Sequence, residues 1–256
     1  MNKIQSYPFL FVLILWACSE SKVKVNESVV DALQDSSLVQ DPQAKIAFFQ
    51  YEDSSAYPDA ILELYTPLGN QSFRPGKVPF EFNIKNFSLN EGGADAPQLF
   101  LILNGGDPIG FFSPIFQREL TQGTYRAVAY LVDEEGLALK SFGNYVDRDF
   151  LVGDSRPFPY SAEPYLALNF PRNQQVVPLG QELIIDFLVL GGDMDLDNLK
   201  VRIELNGISY ESEQMLPVRV ANLPVGDYQI TLNLLRKDNK ELEGPFSSVT
   251  KSFFVR

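Results

Sequence analysis

Three aspartates at alternate positions are the side chains of this sequence best suited to hold a metal ion. Asp193, Asp195 and Asp197 follow the glycine pair at 191–192. Calcium prefers oxygen ligands and takes about six to eight of them, with carboxylates foremost. The pattern therefore raises the hypothesis of a Ca2+ site in which these three carboxylates are ligands.

The carboxylate spacing extends to Glu204, which stands twelfth when Asp193 is counted first. This is the ligand spacing of an EF-hand calcium loop, but position six, normally glycine, holds Asn198. The residues from Lys200 onward alternate as a strand, which would turn Glu204 toward solvent. A looser site made of the three aspartates stays open, as does an acidic, solvated loop between two strands.

A second candidate surface is aromatic. Phe111, Phe112 and Phe116 surround Pro114. If exposed, they form a platform for a sugar or a protein partner. The alternative is an edge strand with one side in the core, or burial against a neighbouring domain. Other aromatic residues beside the linkers are expected to pack at the domain ends: Phe48, Phe49, Tyr51, Tyr57, Phe158 and Tyr160.

The composition excludes several kinds of chemistry. The 256 residues contain no histidine, so Ser-His-Asp and Cys-His nucleophile arrangements are excluded, as are sites that need an imidazole on zinc or copper. No phosphate-binding or dinucleotide-binding glycine motif is present. The net charge of −12 repels phosphate backbones, so nucleic acid is not an expected partner. We therefore expect a protein that is not an enzyme.

The first residues have the features of an export signal. Lys3 is followed by a ten-residue apolar run, Pro8–Ala17, which is too short to span a hydrocarbon core that needs roughly 20 residues. The run has the length of a signal-peptide apolar region. It ends at Cys18, the only cysteine. Leu15-Trp16-Ala17-Cys18 resembles the lipobox of bacterial lipoproteins.

This resemblance implies a location. The signal peptide would be residues 1–17, and Cys18 would carry the lipid that anchors the protein to a membrane of the cell envelope. Each buried CH2 of such a lipid contributes about 0.8 kcal/mol. Ser19 is compatible with the outer membrane of a Gram-negative cell. Residues 18–51 are then interpreted as the lipidated cysteine and a flexible tether.

The rest of the chain contains an internal repeat of about one domain length. The matched residues lie 102–104 positions apart: Pro67 and Pro171, Gly76 and Gly180, Asn104 and Asn206, Phe150 and Phe253. The repeat predicts two copies of one domain, residues 52–153 and 162–256. Residues 154–161 would join them as a linker that contains two prolines.

Each copy has the pattern of a β-sandwich. Apolar and polar residues alternate in several segments, such as 78–85 and 228–234, and turn residues separate them. The motif Leu-x-x-Gly-x-Tyr occurs twice, ending at Tyr125 and Tyr228, and resembles the tyrosine corner of Greek-key sandwiches. We therefore predict an all-β fold with two tandem Ig-like Greek-key sandwiches, similar to bacterial immunoglobulin-like or fibronectin-III-like domains, after the signal peptide and the tether.

The expected function follows from the location and the fold. A lipid-anchored pair of Ig-like domains would bind an envelope protein or act as a spacer in an envelope assembly. The alternative is a glycan-binding accessory protein of a polysaccharide-utilisation system, because aromatic side chains such as Phe111 and Phe112 stack on sugar rings.

Overall fold

The computed structural model describes residues 45–52, 57–89 and 96–256. The predicted signal peptide, Cys18 and most of the predicted tether lie outside these residues. All regular elements in the described ranges are β-strands, so the predicted all-β class is confirmed. The described residues include no helix long and apolar enough to cross a membrane.

The first sandwich consists of two facing sheets. The three-stranded sheet has the order β2-β4-β7 and the five-stranded sheet the order β3-β9-β8-β5-β6. The strands are β2 (Ile61–Thr66), β3 (Ser72–Phe73), β4 (Gly76–Lys85), β5 (Leu99–Leu103), β6 (Ile109–Phe111), β7 (Ile115–Leu120), β8 (Gly123–Leu131) and β9 (Tyr145–Val152).

The second sandwich repeats this topology. Its five-stranded sheet has the order β11-β17-β16-β13-β14, and β10-β12-β15 form the other sheet. The strands are β10 (Tyr165–Phe170), β11 (Gln175–Val177), β12 (Leu183–Leu190), β13 (Leu199–Leu205), β14 (Ile208–Ser212), β15 (Val218–Ala221), β16 (Gly226–Arg236) and β17 (Ser248–Val255). Even the irregularity between the first two strands recurs, at Leu64/Thr66 and at Leu168/Phe170.

The buried and exposed residues alternate along these strands as the sequence predicts. In β4, Val78, Phe80 and Phe82 are buried while Lys77 and Glu81 are not, because side chains of successive strand residues point to opposite faces. The β13–β14 hairpin turns on Asn206-Gly207, both with positive φ. Two such residues make the tight turn whose twist matches that of the flanking strands.

The two repeated tyrosines make the hydrogen bond that a tyrosine corner requires. The Tyr125 hydroxyl donates to the Thr121 carbonyl over 2.9 Å, and the Tyr228 hydroxyl donates to the Pro224 carbonyl over 2.9 Å. Each ring also stacks on a core phenylalanine of the last strand, Phe150 or Phe253. The corner therefore ties the turn before β8 or β16 to the core.

Four residues of the predicted tether form a strand instead. β1 (Ala47–Gln50) pairs antiparallel with β15 of the second sandwich. Phe48 packs against the core of that sandwich and stacks on Tyr210, with ring centroids 5.1 Å apart. The flexible tether predicted through residue 51 is thus corrected for Ala47–Gln50: the partner strand lies far along the sequence, where local pattern gives no sign of it.

The outer faces of the two sandwiches bury each other in an apolar interface. The five-stranded sheet of the first sandwich contributes Phe100, Ile102, Val128, Tyr130 and Val132, and the β10–β12 face of the second contributes Tyr165, Ala167, Leu188 and Leu190. All nine side chains are at most 6% exposed. The two sandwiches therefore meet as packed layers and belong to one compact unit.

A polar network lies inside this interface. Asp186 is fully buried. Its carboxylate accepts from Lys140 Nζ at 2.5 Å, from the Ala138 amide at 2.8 Å and from Asn169 Nδ2 at 2.7 Å. Asn169 Oδ1 accepts in turn from the Tyr130 hydroxyl at 2.9 Å, and burial raises the pKa of Tyr130, which keeps it a donor. Charges are thus paired across the two sandwiches.

The tyrosine corners predict a measurable loss when the hydroxyl is removed. We expect Tyr228→Phe to lower the free energy of unfolding by about 1 kcal/mol, because it removes one hydrogen bond and keeps the ring. Urea unfolding measures the change. Tyr210→Phe is the matched control, since this ring stacks on Phe48 and its hydroxyl makes no hydrogen bond to the described residues. Equal values for both variants would contradict the corner role.

The Asp186 network predicts a larger effect. Asp186→Ala leaves the Lys140 ammonium largely buried without its counter-charge, which costs about 3–5 kcal/mol of stability. Asp227→Ala is the control: it breaks the exposed pair with Arg256, for which a change of about 0.2–1 kcal/mol is expected. Urea unfolding of both variants tests this, and a small loss in Asp186→Ala would show that the network is dispensable.

Candidate functional site

A cleft of about 1170 Å3 lies between the two sandwiches. Its walls are the β8–β9 connection, the β12–β13 loop and the β14–β15 connection, and residues after β1 close one side. Leu139, Val189 and Met215 give it an apolar floor, and Tyr51 and Tyr145 add aromatic faces.

The charge of the cleft is negative. Among the described residues that line it, Lys140 is the one cation, and its ammonium is already bound by Asp186 and by the Phe187 carbonyl. The carboxylates that line it are Glu52, Asp133, Asp147, Asp193, Asp195 and Glu213. Such a surface favours cationic groups and repels anions.

Two of the three aspartates of the metal hypothesis, Asp193 and Asp195, line this cleft, and protein groups contact the carboxylates of all three. Asp193 Oδ1 accepts from the Asp195 and Leu196 amides, both at 2.9 Å. Asp197 Oδ2 accepts from the Asp193 amide at 2.8 Å. Asp195 lies 3.6 Å from Lys237 Nζ. The carboxylates of Asp193 and Asp197 therefore cap a turn, as aspartate commonly does.

The turn ends at Asn198, which has a φ of 52°. Asparagine adopts this left-handed conformation more readily than most residues, so it serves where a calcium loop has glycine. In the described residues, no three acidic, histidine or cysteine side chains come close enough together to hold a metal ion. The structure therefore does not bring Asp193, Asp195 and Asp197 together as ligands, and calcium binding stays a prediction.

The predicted aromatic platform is divided between core and surface. Phe111 and Phe116 stack on each other, with centroids 3.5 Å apart, and pack against the core of the first sandwich. Phe112 alone is well exposed, at 53%. Phe111 and Phe116 therefore belong to the edge of the core, because both are half-buried residues of the edge strands β6 and β7. The binding-surface hypothesis for this segment stays a prediction, with Phe112 as its exposed ring.

The aromatic residues near the linkers also differ in exposure. Phe158 lies in an aromatic cage around Arg126, whose guanidinium carbon is 4.5 Å from the Tyr165 ring centroid and 5.6 Å from those of Phe158 and Phe246. Arg126 is also held by both carboxylate oxygens of Asp149, at 2.7 Å each. Tyr160, by contrast, is 95% exposed. The linker is thus fixed at Phe158 against both sandwiches.

A further ion pair joins the sandwiches on another side. Lys251 Nζ of β17 lies 2.7 Å from Asp107 Oδ1, which also accepts from the Asn173 amide at 3.0 Å. Burial raises the pKa of Asp107, but the Lys251 ammonium and the Asn173 amide outweigh it and hold that pKa below its usual range. The carboxylate form is therefore stabilised by the contact.

Sequence reasoning missed the interface, the cleft and their polar groups. A signal was present: β5 reads Leu-Phe-Leu-Ile-Leu, with no polar residue at alternate positions, and four of its five residues are buried. A continuous apolar run is typical of a strand covered on both faces. The pairing of Asp186 with Lys140 had no comparable signal, because the two residues are 46 positions apart.

Comparison with known proteins gives structural similarity without a family. No protein-family model and no curated protein matches the chain. Fibronectin(III)-like modules of CbhA from Clostridium thermocellum are similar at 14% identity and a TM-score of 0.30, over 77% of this chain and 94% of theirs. Three N-terminal domains of the outer capsid protein Hoc from bacteriophage RB49 match at 14% identity and a TM-score of 0.23, over 77% and 69%.

An enzyme is also among the similar structures. Beta-glucuronidase 3 of Bacteroides uniformis matches at 10% identity and a TM-score of 0.25, over 75% of this chain and 24% of the enzyme. At such values the assignment of fold rests on the strand order and the tyrosine corners. The function has to be argued from the surfaces of the chain itself.

The Asp107–Lys251 pair predicts a pH dependence. Because the folded pKa of Asp107 is lowered, its contribution is complete above the ordinary carboxyl value of about 3.9 and is lost as the pH falls through the folded value. We expect Asp107→Asn to be less stable than the parent at about pH 5–7 and to approach it below about pH 4. Urea unfolding across this range measures it.

The control for this prediction is Asp154→Asn, which changes a linker carboxylate that forms no ion pair with any described residue. Its difference from the parent should not vary over the same pH range. A gap between Asp107→Asn and the parent that stays constant down to pH 3 would contradict the assigned role.

Proposed function

We propose that this chain is a non-enzymatic lipoprotein of the cell envelope, anchored through Cys18, whose paired sandwiches bind another envelope protein. The observation that carries the proposal is the buried interface between the sandwiches, with Asp186 and Lys140 inside it. An interface of this kind fixes the exposed edges and loops of both domains in one frame. Such a frame suits recognition of a folded or extended partner, or spacing within an assembly.

The exposed faces support a binding role over a catalytic one. The described residues contain neither histidine nor cysteine, and the carboxylates of the cleft loop serve turns and ion pairs. The outward face of β2 and β4 carries a polar group in which Asn83 and Lys85 both donate to Glu63. Recognition is therefore assigned to edges and loops.

The glycan-binding alternative has weaker support. Its platform needed three phenylalanines on one surface, and Phe111 and Phe116 pack against the core. Phe112 offers one exposed ring. Sugar recognition commonly uses several faces with polar groups between them, so we do not propose it as a second function.

Labelling with a fatty acid tests whether the chain is lipid-anchored. In a Gram-negative host, the parent chain should incorporate an alkyne-labelled fatty acid and partition into the detergent phase, because Cys18 carries the acyl chains. Cys18→Ala should lose the label and the partitioning. Ser19→Ala is the matched control and should keep both. A label that survives in Cys18→Ala would contradict the anchor.

Partner binding is tested by mild crosslinking of the full chain in intact cells, followed by affinity capture and mass spectrometry. One envelope protein recovered in near-equal amount is the expected result. Recovery of abundant background proteins only, from cells in which the lipidated chain is present, would overturn the proposed binding function.

A further inference from the structure

The two sandwiches differ at one sheet edge. β7 is the outer strand of β2-β4-β7, and no strand in the described part of the chain pairs with its far side. The equivalent strand of the second sandwich is β15, and its far side is covered by β1. The repeat thus shows the same edge once filled by an antiparallel strand and once open.

The backbone of β7 is arranged to accept such a strand. The Pro114 carbonyl accepts from the Phe82 amide on the β4 side. Backbone groups of alternate residues point the same way in an antiparallel pair, so Ile115, Gln117 and Glu119 direct theirs away from β4. Ser113 Oγ already bonds Ile115. No described residue makes a hydrogen bond to the outward backbone groups of Gln117 or Glu119.

One side chain distinguishes the open edge from the filled one. In the second sandwich, Val220 pairs with Leu183 on one side and with Phe48 of β1 on the other. In the first sandwich, Arg118 pairs with Val78 in the equivalent position. The open edge therefore carries a guanidinium group where the filled edge has an apolar residue.

Arg118 has no counter-charge within the described part of the chain. It lies on the half-buried, core-facing side of β7, and its Nε is buried without a hydrogen-bond partner. No ion pair joins it to any described residue. A buried donor without a partner costs about 1–3 kcal/mol. An acidic side chain on an added strand, placed where Phe48 faces Val220, would supply the missing acceptor.

We propose that the edge of β7 binds an extended, acidic segment of a partner protein by antiparallel strand addition, with an Asp or Glu side chain opposite Arg118. This inference rests on the proposed binding function and names its surface. Backbone hydrogen bonds to Gln117 and Glu119 hold the segment, and the carboxylate selects it. Ile115, 64% exposed, and Phe112 offer apolar contact beside the edge.

The charge also argues against a second copy as the occupant. Two β7 edges that paired with each other would bring two Arg118 groups onto the same face. Like charges there oppose pairing, and an inward-pointing charge is a known device against edge-to-edge association. An acidic strand removes this obstacle, whereas an apolar strand does not.

The test uses two synthetic peptides and the full chain in detergent. The first has the sequence of residues 45–52, which contains β1, and the second is its Phe48→Glu version. Both carry a fluorophore. We expect the acidic peptide to bind about tenfold more tightly, as a charge-assisted hydrogen bond implies. In Arg118→Leu this preference should disappear or reverse. Fluorescence polarisation measures both.

A second set of measurements tests whether the peptide binds to the backbone of β7. Saturating acidic peptide should slow hydrogen–deuterium exchange in the segment 115–120. Gln117→Pro should abolish binding, because it removes the outward amide, while Gln117→Ala keeps that amide and should bind like the parent. Proline is tolerated where an edge amide faces solvent. If Gln117→Pro does not fold, Glu119→Pro removes the next outward amide and takes its place.

The outcomes separate this inference from the function on which it rests. Absence of peptide binding, or binding unchanged in both Arg118→Leu and the proline variant, overturns strand addition at β7. If a partner is captured in cells and is retained by Gln117→Pro, the binding function stands and its surface lies elsewhere. If the parent chain captures no partner, the proposed function itself fails.

Discussion

The buried pair of Asp186 and Lys140 is the interaction on which the arrangement of the two sandwiches depends. Removing two charges from water is costly unless all their hydrogen-bonding groups are satisfied. Asp186 accepts from three donors, of which Lys140 and the Ala138 amide belong to the other sandwich. Few relative positions of the domains meet all these bonds. The apolar surface around the pair supplies the free energy of association, and the pair selects the orientation.

Because the domain is repeated, the buried outer face of the first sandwich can be compared with the equivalent, solvent-exposed face of the second. Phe100 pairs with Tyr130, and Ile102 with Val128, on the face of the first sandwich that is buried. The same four positions in the second sandwich hold Arg202 with Asn233 and Glu204 with Thr231. Topology and inner core are therefore common to both copies. The outward residues decide which face is covered, and they end the stack with polar faces.

The predictions that succeeded depend on neighbours in sequence. Alternation of apolar and polar residues predicted the strand that contains Phe80 and Phe82. A short motif identified Tyr125 and Tyr228, whose hydroxyl groups donate to carbonyls only four residues earlier. The failures have the opposite character. Gln50 meets Ser212 across 162 residues, so nothing near Gln50 marks it as part of a strand. The orientation of the sandwiches likewise depends on pairs that no local pattern contains.

The acidic loop and the aromatic segment illustrate why a candidate site is harder to predict than a fold. Residue types at a suitable spacing permit a function, but each carboxylate or ring has competing uses within a few ångströms. Asp193 caps its own turn, because its Oδ1 accepts from the amides of Asp195 and Leu196. Phe111 stacks on Phe116 instead of facing solvent.

Arg118 shows the reverse. Its Nε has no hydrogen-bond partner among the described residues, although nothing in the sequence distinguishes it from other cations. What separates it from them is that the equivalent position in the other repeat, Val220, lies under an added strand. The two copies of the domain can therefore be compared position by position. Where a residue is charged in one copy and its counterpart is apolar and covered in the other, the charged residue marks a surface that a segment from outside its own sandwich would cover.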